Sequence, residues 1–158
     1  MTANEQQKIV ASDRGFDDNF GYSVAINNTT VVVGAFKESE DATGGNTMQN
    51  SGSAYVFDYQ SGTWSQTQKI VASDRDAMDY FGASVDLSDN YIVVGAYSET
   101  EDEQGQDSLF MAGSAYIFKN ESGVWQQEQK IVAADRTADD YYGFDVAITN
   151  NFVLVGAA

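Results

Sequence analysis

Short apolar runs alternate with clusters of turn-forming residues along the whole chain. In 81–87 (FGASVDL) small or polar residues alternate with Val85 and Leu87, 91–97 (YIVVGAY) is continuously apolar, and 113–119 (GSAYIFK) alternates again. A fourth run, 124–133 (VWQQEQKIVA), is polar first and apolar later. These runs are rich in β-branched and aromatic residues and lack the helical period of 3.6 residues. The pattern therefore predicts four short strands, with a long acidic loop at 98–112 between the second and the third.

The same pattern recurs with a constant step of 61 residues. The motifs QKIVASDR, QKIVASDR and QKIVAADR begin at positions 7, 68 and 129. Lys8, Lys69 and Lys130 are therefore equivalent, each 61 residues from the next (69 − 8 and 130 − 69). Aromatic-Gly pairs at 20, 81 and 142 and Gly-Ala pairs at 34, 95 and 156 keep the same step. Repeats of this length are typical of solenoids, propellers or arrays. Four-stranded modules in tandem favour an all-β fold of antiparallel β-propeller blades.

The repeat predicts one array over 1–158, divided into four segments. Residues 1–19 hold the fourth strand of a preceding blade (6–11) and a connection, 20–80 and 81–141 form two blades, and 142–158 form the first two strands of a third. The terminal half-blades would have unpaired strand edges, which tend to pair with other chains. Two interpretations stay open: the chain is part of a larger propeller, or neighbouring copies complete each other's blades.

Composition narrows the function classes. The chain has 24 acidic and 8 basic residues, for a net charge of −16, which argues against nucleic acid and anionic membranes as partners. No apolar run approaches the roughly 20 residues that span a membrane, so membrane insertion is not expected. Cysteine and histidine are absent, and no spacing pairs a nucleophile with a base. We therefore predict no enzyme, no catalytic residue and no certain cofactor.

Most of the basic residues belong to the repeated module. Six of the eight lie at repeat-equivalent positions: Lys8, Lys69, Lys130, Arg14, Arg75 and Arg136. This placement predicts that each blade pairs its cations with its own acids in a structural salt bridge. A ring of arginines that binds a ligand is the alternative hypothesis.

The acidic residues form two recurring clusters. The first cluster precedes each aromatic-Gly pair and includes Asp13, Asp17, Asp74, Asp76, Asp79, Asp135 and Asp139. These carboxylates either cap turns and pair with arginine or form a divalent cation site, for which Ca²⁺ is the candidate. The second cluster lies in the long loops and includes Glu38, Glu40, Asp41, Glu99, Glu101, Asp102 and Glu103. It is either a solvated loop or a calcium-dependent interaction surface.

Two further sets of residues are candidates for binding or modification. N-glycosylation sequons occur at Asn27, Asn28 and Asn120, all in predicted turns, and matter only if the source organism glycosylates them. Trp64 and Trp125 precede the QKI motif of the predicted fourth strand in two copies of the repeat. They either cover the core between blades or offer a platform on which a sugar stacks.

The words FG, GA and GSAY, in one frame across the chain, resemble the FG-GAP repeat family of integrin α-subunit propellers. The GA element here reads GAF, GAY and GAA, without the family's proline. The resemblance implies a seven-bladed propeller, an extracellular or cell-surface location, and adhesion or recognition of a protein or glycan ligand.

Integrin-type repeats carry a D-x-D-x-D-G calcium loop between strands one and two. Short turns replace it here, at 27–30, 88–90 and 149–151, so that calcium site is not carried over.

The resemblance and the residues together predict a non-catalytic extracellular adhesion or ligand-recognition module. The first alternative is a structural protein whose copies assemble through their edge strands into a homo-oligomeric ring or a filament. The second is an accessory domain of a secreted hydrolase, with the catalytic residues outside this sequence.

Overall fold

All regular secondary structure in the computed structural model, which describes residues 4–158, is β-strand. The first sheet has the order β1 (Ser23–Ile26), β2 (Thr30–Ala35), β3 (Ser53–Gln60) and β4 (Thr63–Ile70). The second repeats it with β5 (Ser84–Leu87), β6 (Tyr91–Ala96), β7 (Ser114–Glu121) and β8 (Val124–Ile131). Strands β9 (Asp145–Ile148) and β10 (Val153–Gly156) form a two-stranded sheet.

Every pair of neighbouring strands is antiparallel, and the two complete sheets follow each other along the chain as propeller-type blades. The predicted fold class is therefore confirmed, with sheets that are not closed on themselves. No helix long and apolar enough to cross a membrane occurs in residues 4–158.

Local turn chemistry explains the hairpins at one end of each blade. Between β3 and β4, Ser61 and Gly62 have φ values of 52° and 91°, as a two-residue type I′ turn requires. Ser122 and Gly123 repeat this turn between β7 and β8 with 56° and 91°. Antiparallel topology places both hairpins of a blade at this end. The long loops and the connections between blades lie at the opposite end.

The first strands are shorter than the sequence pattern predicts. We expected strands over 20–26 and 81–87, but β1 and β5 begin at Ser23 and Ser84. The difference arises because the aromatic-Gly pair belongs to a turn, in which the amide of Ala83 donates to the carbonyl of Tyr80 (3.1 Å). The fourth strands end early for a related reason: after Ile70 and Ile131 the chain turns into the next connection.

Residues 6–11, predicted as a fourth strand, form no ladder in this structure because no third strand lies beside them. They nevertheless occupy the place of a fourth strand. The Gln7 side chain donates to the carbonyl of Trp64 and accepts from its amide, both at 2.8 Å. Gln68 of β4 makes the same two bonds to Trp125, at 2.7 and 2.9 Å. The assignment of segment 1–19 stays a prediction with this geometric support.

Glycine allows the two sheets to touch through their backbones. A Cβ atom on Gly34, in β2, would overlap with the carbonyl oxygen of Gly82 in the connection that enters the second sheet. Gly82 itself has a φ of 89°, which disfavours any side chain there. Next to it, Phe81 forms a parallel bridge with Gly52. The repeated aromatic-Gly and Gly-Ala motifs therefore meet at the contact between consecutive blades.

The largest cluster of buried apolar side chains lies between the two complete sheets. One face of the first sheet, including Val32 and Val56, packs against Ile92 and Tyr116 of the second. Phe81 is fully buried between them, and its ring meets that of Tyr116 edge-on at 5.5 Å. Each blade thus depends on its neighbour for its core, as the repeat predicts.

Candidate functional site

A buried lysine joins three elements at the loop end of each blade. Lys130 of β8 donates to Asp74 in the connection that precedes the second sheet (2.8 Å), and it also pairs with Glu99 of the loop between β6 and β7 (3.1 Å). Its side chain is only 5% exposed, and its ammonium lies 5.7 Å from the centre of the Tyr116 ring. Such a cation is stabilised both by the carboxylates and by the aromatic face.

The first blade contains the same arrangement. Lys69 pairs with Asp13 at 2.9 Å and with Glu38 at 2.7 Å, and it lies 5.6 Å from the Tyr55 ring centre. The predicted salt bridge per blade therefore exists for these two lysines. Their carboxylate partners come from two different acidic clusters, which the spacing in sequence did not indicate.

Glu38 and Glu99 were predicted to belong to a solvated or interacting loop surface, and this prediction is wrong. Both residues are 3% exposed. Besides its lysine, Glu99 accepts hydrogen bonds from the Ser114 hydroxyl (2.5 Å) and the Glu101 amide (2.7 Å). Burial of a carboxylate requires such compensation, and the lysine supplies it only in the folded blade. The sequence did contain one sign of a buried polar partner for these glutamates: the serine of each GSAY motif recurs where an otherwise apolar strand begins.

The repeated arginines hold the long loops by their backbones. We define the first long loop as residues 36–52 and the second as residues 97–113. Arg75 donates to the carbonyls of Ser39 (2.6 Å) and Asn46 (2.7 Å) in the first long loop. Arg136 donates to the equivalent carbonyls of the second. The expected pairing of these arginines with acids is therefore wrong, because carbonyl oxygens of the loop occupy the guanidinium groups.

The remaining loop acids divide into turn caps and surface groups. Asp41 accepts from the amides of Thr43 (2.8 Å) and Gly45 (3.1 Å), and hydrogen bonds from Thr43 and Gly45 lower its pKa to about 2. Asp102 caps the second long loop in the same way. Glu40 and Glu101 are half-buried, and Glu103 is exposed.

The side chains of the first acidic cluster make separate contacts and do not form one site. Asp13 and Asp74 bind lysines, and Asp17 pairs with Lys37 at 3.3 Å. The amides of Ala77 and Asp76 donate to Asp76 and Asp79 respectively, while Asp135 and Asp139 are exposed. Within residues 4–158 no group of three or more Asp, Glu, His or Cys side chains could hold a metal ion. The structure therefore does not bring these acids together, and calcium binding stays an untested prediction.

Asp79 is the most perturbed of these carboxyl groups. It is 5% exposed, and burial, together with the nearby charges of Glu99, Asp76 and Asp74, raises its pKa from 3.8 to about 7. The hydrogen bond from the Asp76 amide opposes this rise without overcoming it. The equivalent Asp140 has a lowered pKa because Thr137 donates to it and little burial opposes this.

The comparison with protein families fits this geometry. The model of the FG-GAP repeat matches residues 3–57, 64–118 and 125–158, segments that begin 61 residues apart (64 − 3 and 125 − 64). This chain belongs to the FG-GAP repeat family. No curated protein matches the chain. FG-GAP repeats are typically non-enzymatic. Each matched segment here includes the QKIVASDR-type motif and the aromatic-Gly pair that follows it.

The sequons and tryptophans of these FG-GAP repeats lie at the hairpin end. The Asn27 side chain accepts from the amides of Thr29 and Thr30 and donates to Ser88 of the next blade, whereas Asn28 is exposed. Asn120 lies in β7 rather than in a turn. Trp125 is 4% exposed in the core between blades, which confirms its predicted core position, while Trp64 is half-buried.

We expect Lys130→Met to destabilise the FG-GAP blades by about 3–5 kcal/mol, because it leaves the buried Glu99 carboxylate without its cation. The free energy of unfolding in urea measures this loss. Lys119→Met is the matched control in the neighbouring strand. The Lys119–Glu128 pair is 3.7 Å apart and about half exposed (41% and 46%), so its loss should cost less than about 1 kcal/mol. Equal losses in the two variants would contradict a structural role for the buried lysine.

The raised pKa of Asp79 predicts a specific pH dependence of stability. Because the folded state holds this proton more tightly than the unfolded state, stability falls as pH rises from about 4 to about 7 and then levels off. Asp79→Asn keeps an acceptor for the Asp76 amide and should flatten the Tm profile across this window. Asp140→Asn should leave the profile in the same window unchanged. A parallel slope in wild type and Asp79→Asn would contradict the assignment.

Proposed function

We propose that this chain is part of a non-catalytic, extracellular β-propeller module that recognises a protein or glycan ligand through its long loops. The observation that carries the proposal is the contrast within these loops. Their anchoring bonds are the same in both blades, whereas the side chains at their tips differ. Binding residues commonly lie on variable loops that a rigid scaffold positions.

The anchors begin with the buried glutamate, the capping aspartate and the arginine described above. Backbone bonds complete them: the amides of Met48 and Leu109 donate to the carbonyls of Ser39 and Thr100, each at 2.7 Å. The amides of Gly52 and Gly113 donate to the carbonyls of Glu38 and Glu99, each at 2.8 Å. Equivalent backbone conformations therefore present both tips.

The tips carry different chemistry. Ala42 and Thr43 of the first long loop correspond to Glu103 and Gln104 of the second, and the exposed Gln49 corresponds to Phe110. Phe110 is 63% exposed although the loop around it is well bonded. An exposed aromatic ring is the kind of group that contributes strongly to recognition. The second long loop therefore offers the more distinctive contact surface.

The test is the double variant Glu103→Ser with Phe110→Ser, which changes the tip and leaves Glu99, Asp102 and Arg136 in place. We expect saturable binding of the labelled protein to a glycan array or to intact cells to weaken roughly tenfold, with an unchanged Tm. Glu121→Ser with Val124→Ser is the matched control, since it removes one exposed acid and one exposed apolar side chain at the hairpin end. The proposal fails if no saturable binding exists or if both variants weaken it equally.

Assembly of copies is a second candidate, which the outer faces favour. Val24 and Ile26 of β1 are 66% and 67% exposed, whereas the equivalent Val85 and Leu87 of β5 are each 8% exposed beneath the first sheet. At the other outer face, Leu154 of β10 is 73% exposed. A second copy that places its last sheet against β1 of the first would cover both faces in the way that the two sheets cover each other. Contacts of this head-to-tail kind build rings or filaments.

Sedimentation equilibrium tests the assembly. We expect particles larger than the 17.2 kDa chain, and a return to 17.2 kDa for Val24→Lys with Ile26→Lys, because buried ammonium groups oppose the contact. Val124→Lys, at an exposed position outside these faces, should leave the assembly intact. A wild-type mass of 17.2 kDa at every concentration would remove this candidate.

A further inference from the structure

Six aromatic side chains form a continuous row at the loop end of the blades. We call them the aromatic row: Tyr22, Phe36, Tyr80, Tyr97, Tyr141 and Phe144. Neighbouring ring centres lie between 4.4 and 6.2 Å apart. The row runs across three repeats and is separate from the buried ring cluster around Phe81. Sequence periodicity did not indicate it, because its members come from three different positions of the repeat.

Two contacts in this row join tyrosine to tyrosine, and both include Tyr97. The rings of Tyr80 and Tyr97 are stacked, with centres 5.5 Å apart and planes 24° apart. The rings of Tyr97 and Tyr141 are 6.2 Å apart and tilted by 53°. Every other ring pair recorded in residues 4–158 contains a phenylalanine or a tryptophan. Tyr97 is therefore the centre of the tyrosine contacts.

The repeat supplies an internal comparison. Phe36 and Tyr80 occupy the positions that Tyr97 and Tyr141 occupy one repeat later (97 − 36 and 141 − 80). The packing is similar, with 5.5 Å and 62° in the earlier pair. The earlier pair packs with a phenylalanine at the position of Tyr97, so the fold does not require the Tyr97 hydroxyl. Tyr97→Phe should accordingly be accepted by the structure without loss of the ring contact.

The tyrosines of the row are accessible to small oxidants. Tyr80, Tyr97 and Tyr141 are all partly exposed, whereas Tyr55 and Tyr116 are fully buried. Burial, and then the neighbouring phenols, raise the pKa of Tyr97, so its proton leaves together with an electron when the ring is oxidised. The sequence contains no cysteine to intercept the radical. The nearest competitor is Met78, whose sulfur lies 3.4 Å from the Tyr80 hydroxyl.

We propose that Tyr97 and Tyr80 form an oxidative modification site that yields an intramolecular dityrosine cross-link. A haem peroxidase with hydrogen peroxide removes one electron and one proton from each phenol. The two phenoxyl radicals join through a carbon–carbon bond between ring positions ortho to the oxygens, and each ortho hydrogen then moves to the phenol oxygen. Hydrogen peroxide accepts the two electrons and two protons and becomes two molecules of water. Proximity of the stacked rings favours this pairing over encounters between molecules.

The link would fasten the connection that enters the second sheet to the end of β6. It closes a segment of 18 residues (80–97) that contains β5, the strand that packs against the first sheet. A covalent closure of this size reduces the conformational freedom of the unfolded chain, as a disulfide does. In a chain without cysteine it would serve as the covalent fastener, and the Tm of the cross-linked protein should rise.

The test adds a haem peroxidase and hydrogen peroxide to the dilute folded chain. The masses of the tryptic peptides are then measured by mass spectrometry. Tyr80 and Tyr97 share the peptide 76–119, whereas Tyr141 lies in 137–158. We expect peptide 76–119 to become lighter by two hydrogens and to show dityrosine fluorescence. A joined pair of peptides 76–119 and 137–158 would assign the bond to Tyr141 and overturn the choice of Tyr80. Cross-linked dimers alone, or methionine oxidation alone, would overturn the site.

Conservative variants locate the bond. Tyr80→Phe and Tyr97→Phe should each reduce the intramolecular product at least tenfold, while Tyr59→Phe, at a 48% exposed tyrosine paired with a tryptophan, should leave it unchanged. Oxidation of the unfolded chain in urea is the second control, because it abolishes the stacking. If the unfolded chain gives the same product in the same yield, the fold does not direct the reaction and the inference is wrong.

Discussion

A lysine ammonium enclosed by two carboxylates and an aromatic ring holds the loop end of each blade together. Lys130 gathers Asp74 from the connection and Glu99 from the second long loop, while its own strand forms the outer edge of the sheet. An unpaired charge in this position would be costly, so the three elements are stable only in combination. The anchors of the long loops depend on that combination, and the loop tips are thereby free to differ between blades.

The second constraint is the close backbone approach of consecutive blades. Gly34 and Gly82 meet where no Cβ atom fits, and the adjacent Phe81 fills the space between the sheets. Because this contact is set by backbone atoms, the distance between blades is the same in each repeat, and the connections that enter successive blades line up. The aromatic row is a consequence of that alignment, since Tyr80 and Tyr141 come from successive connections while Tyr97, the first residue of the second long loop, lies between them.

Prediction from the sequence succeeded where the signal was local and repeated. Alternation and turn residues located all four strands of each complete blade, and the step of 61 residues identified the modules. It failed where the partner of a residue lay far away in the chain. Glu38 looked like a loop acid because its lysine is 31 residues further on (69 − 38), and Arg75 looked like a partner for carboxylates although it binds loop carbonyls. The perturbed Asp79 had no signal that distinguished it from Asp140.

The amino-acid sequence by itself determined the class of fold and the family, because periodicity, turn chemistry and repetition act over a few residues and are written directly in the chain. Only the tertiary structure decided which acids are buried, which cap turns and which face solvent. Those outcomes depend on desolvation and on charges that meet across elements separated by tens of residues. The same distinction applies to the tyrosines: their number is a property of the sequence, while Tyr80 stacks on Tyr97 only because the folded chain brings the connection that enters the second sheet against the start of the second long loop.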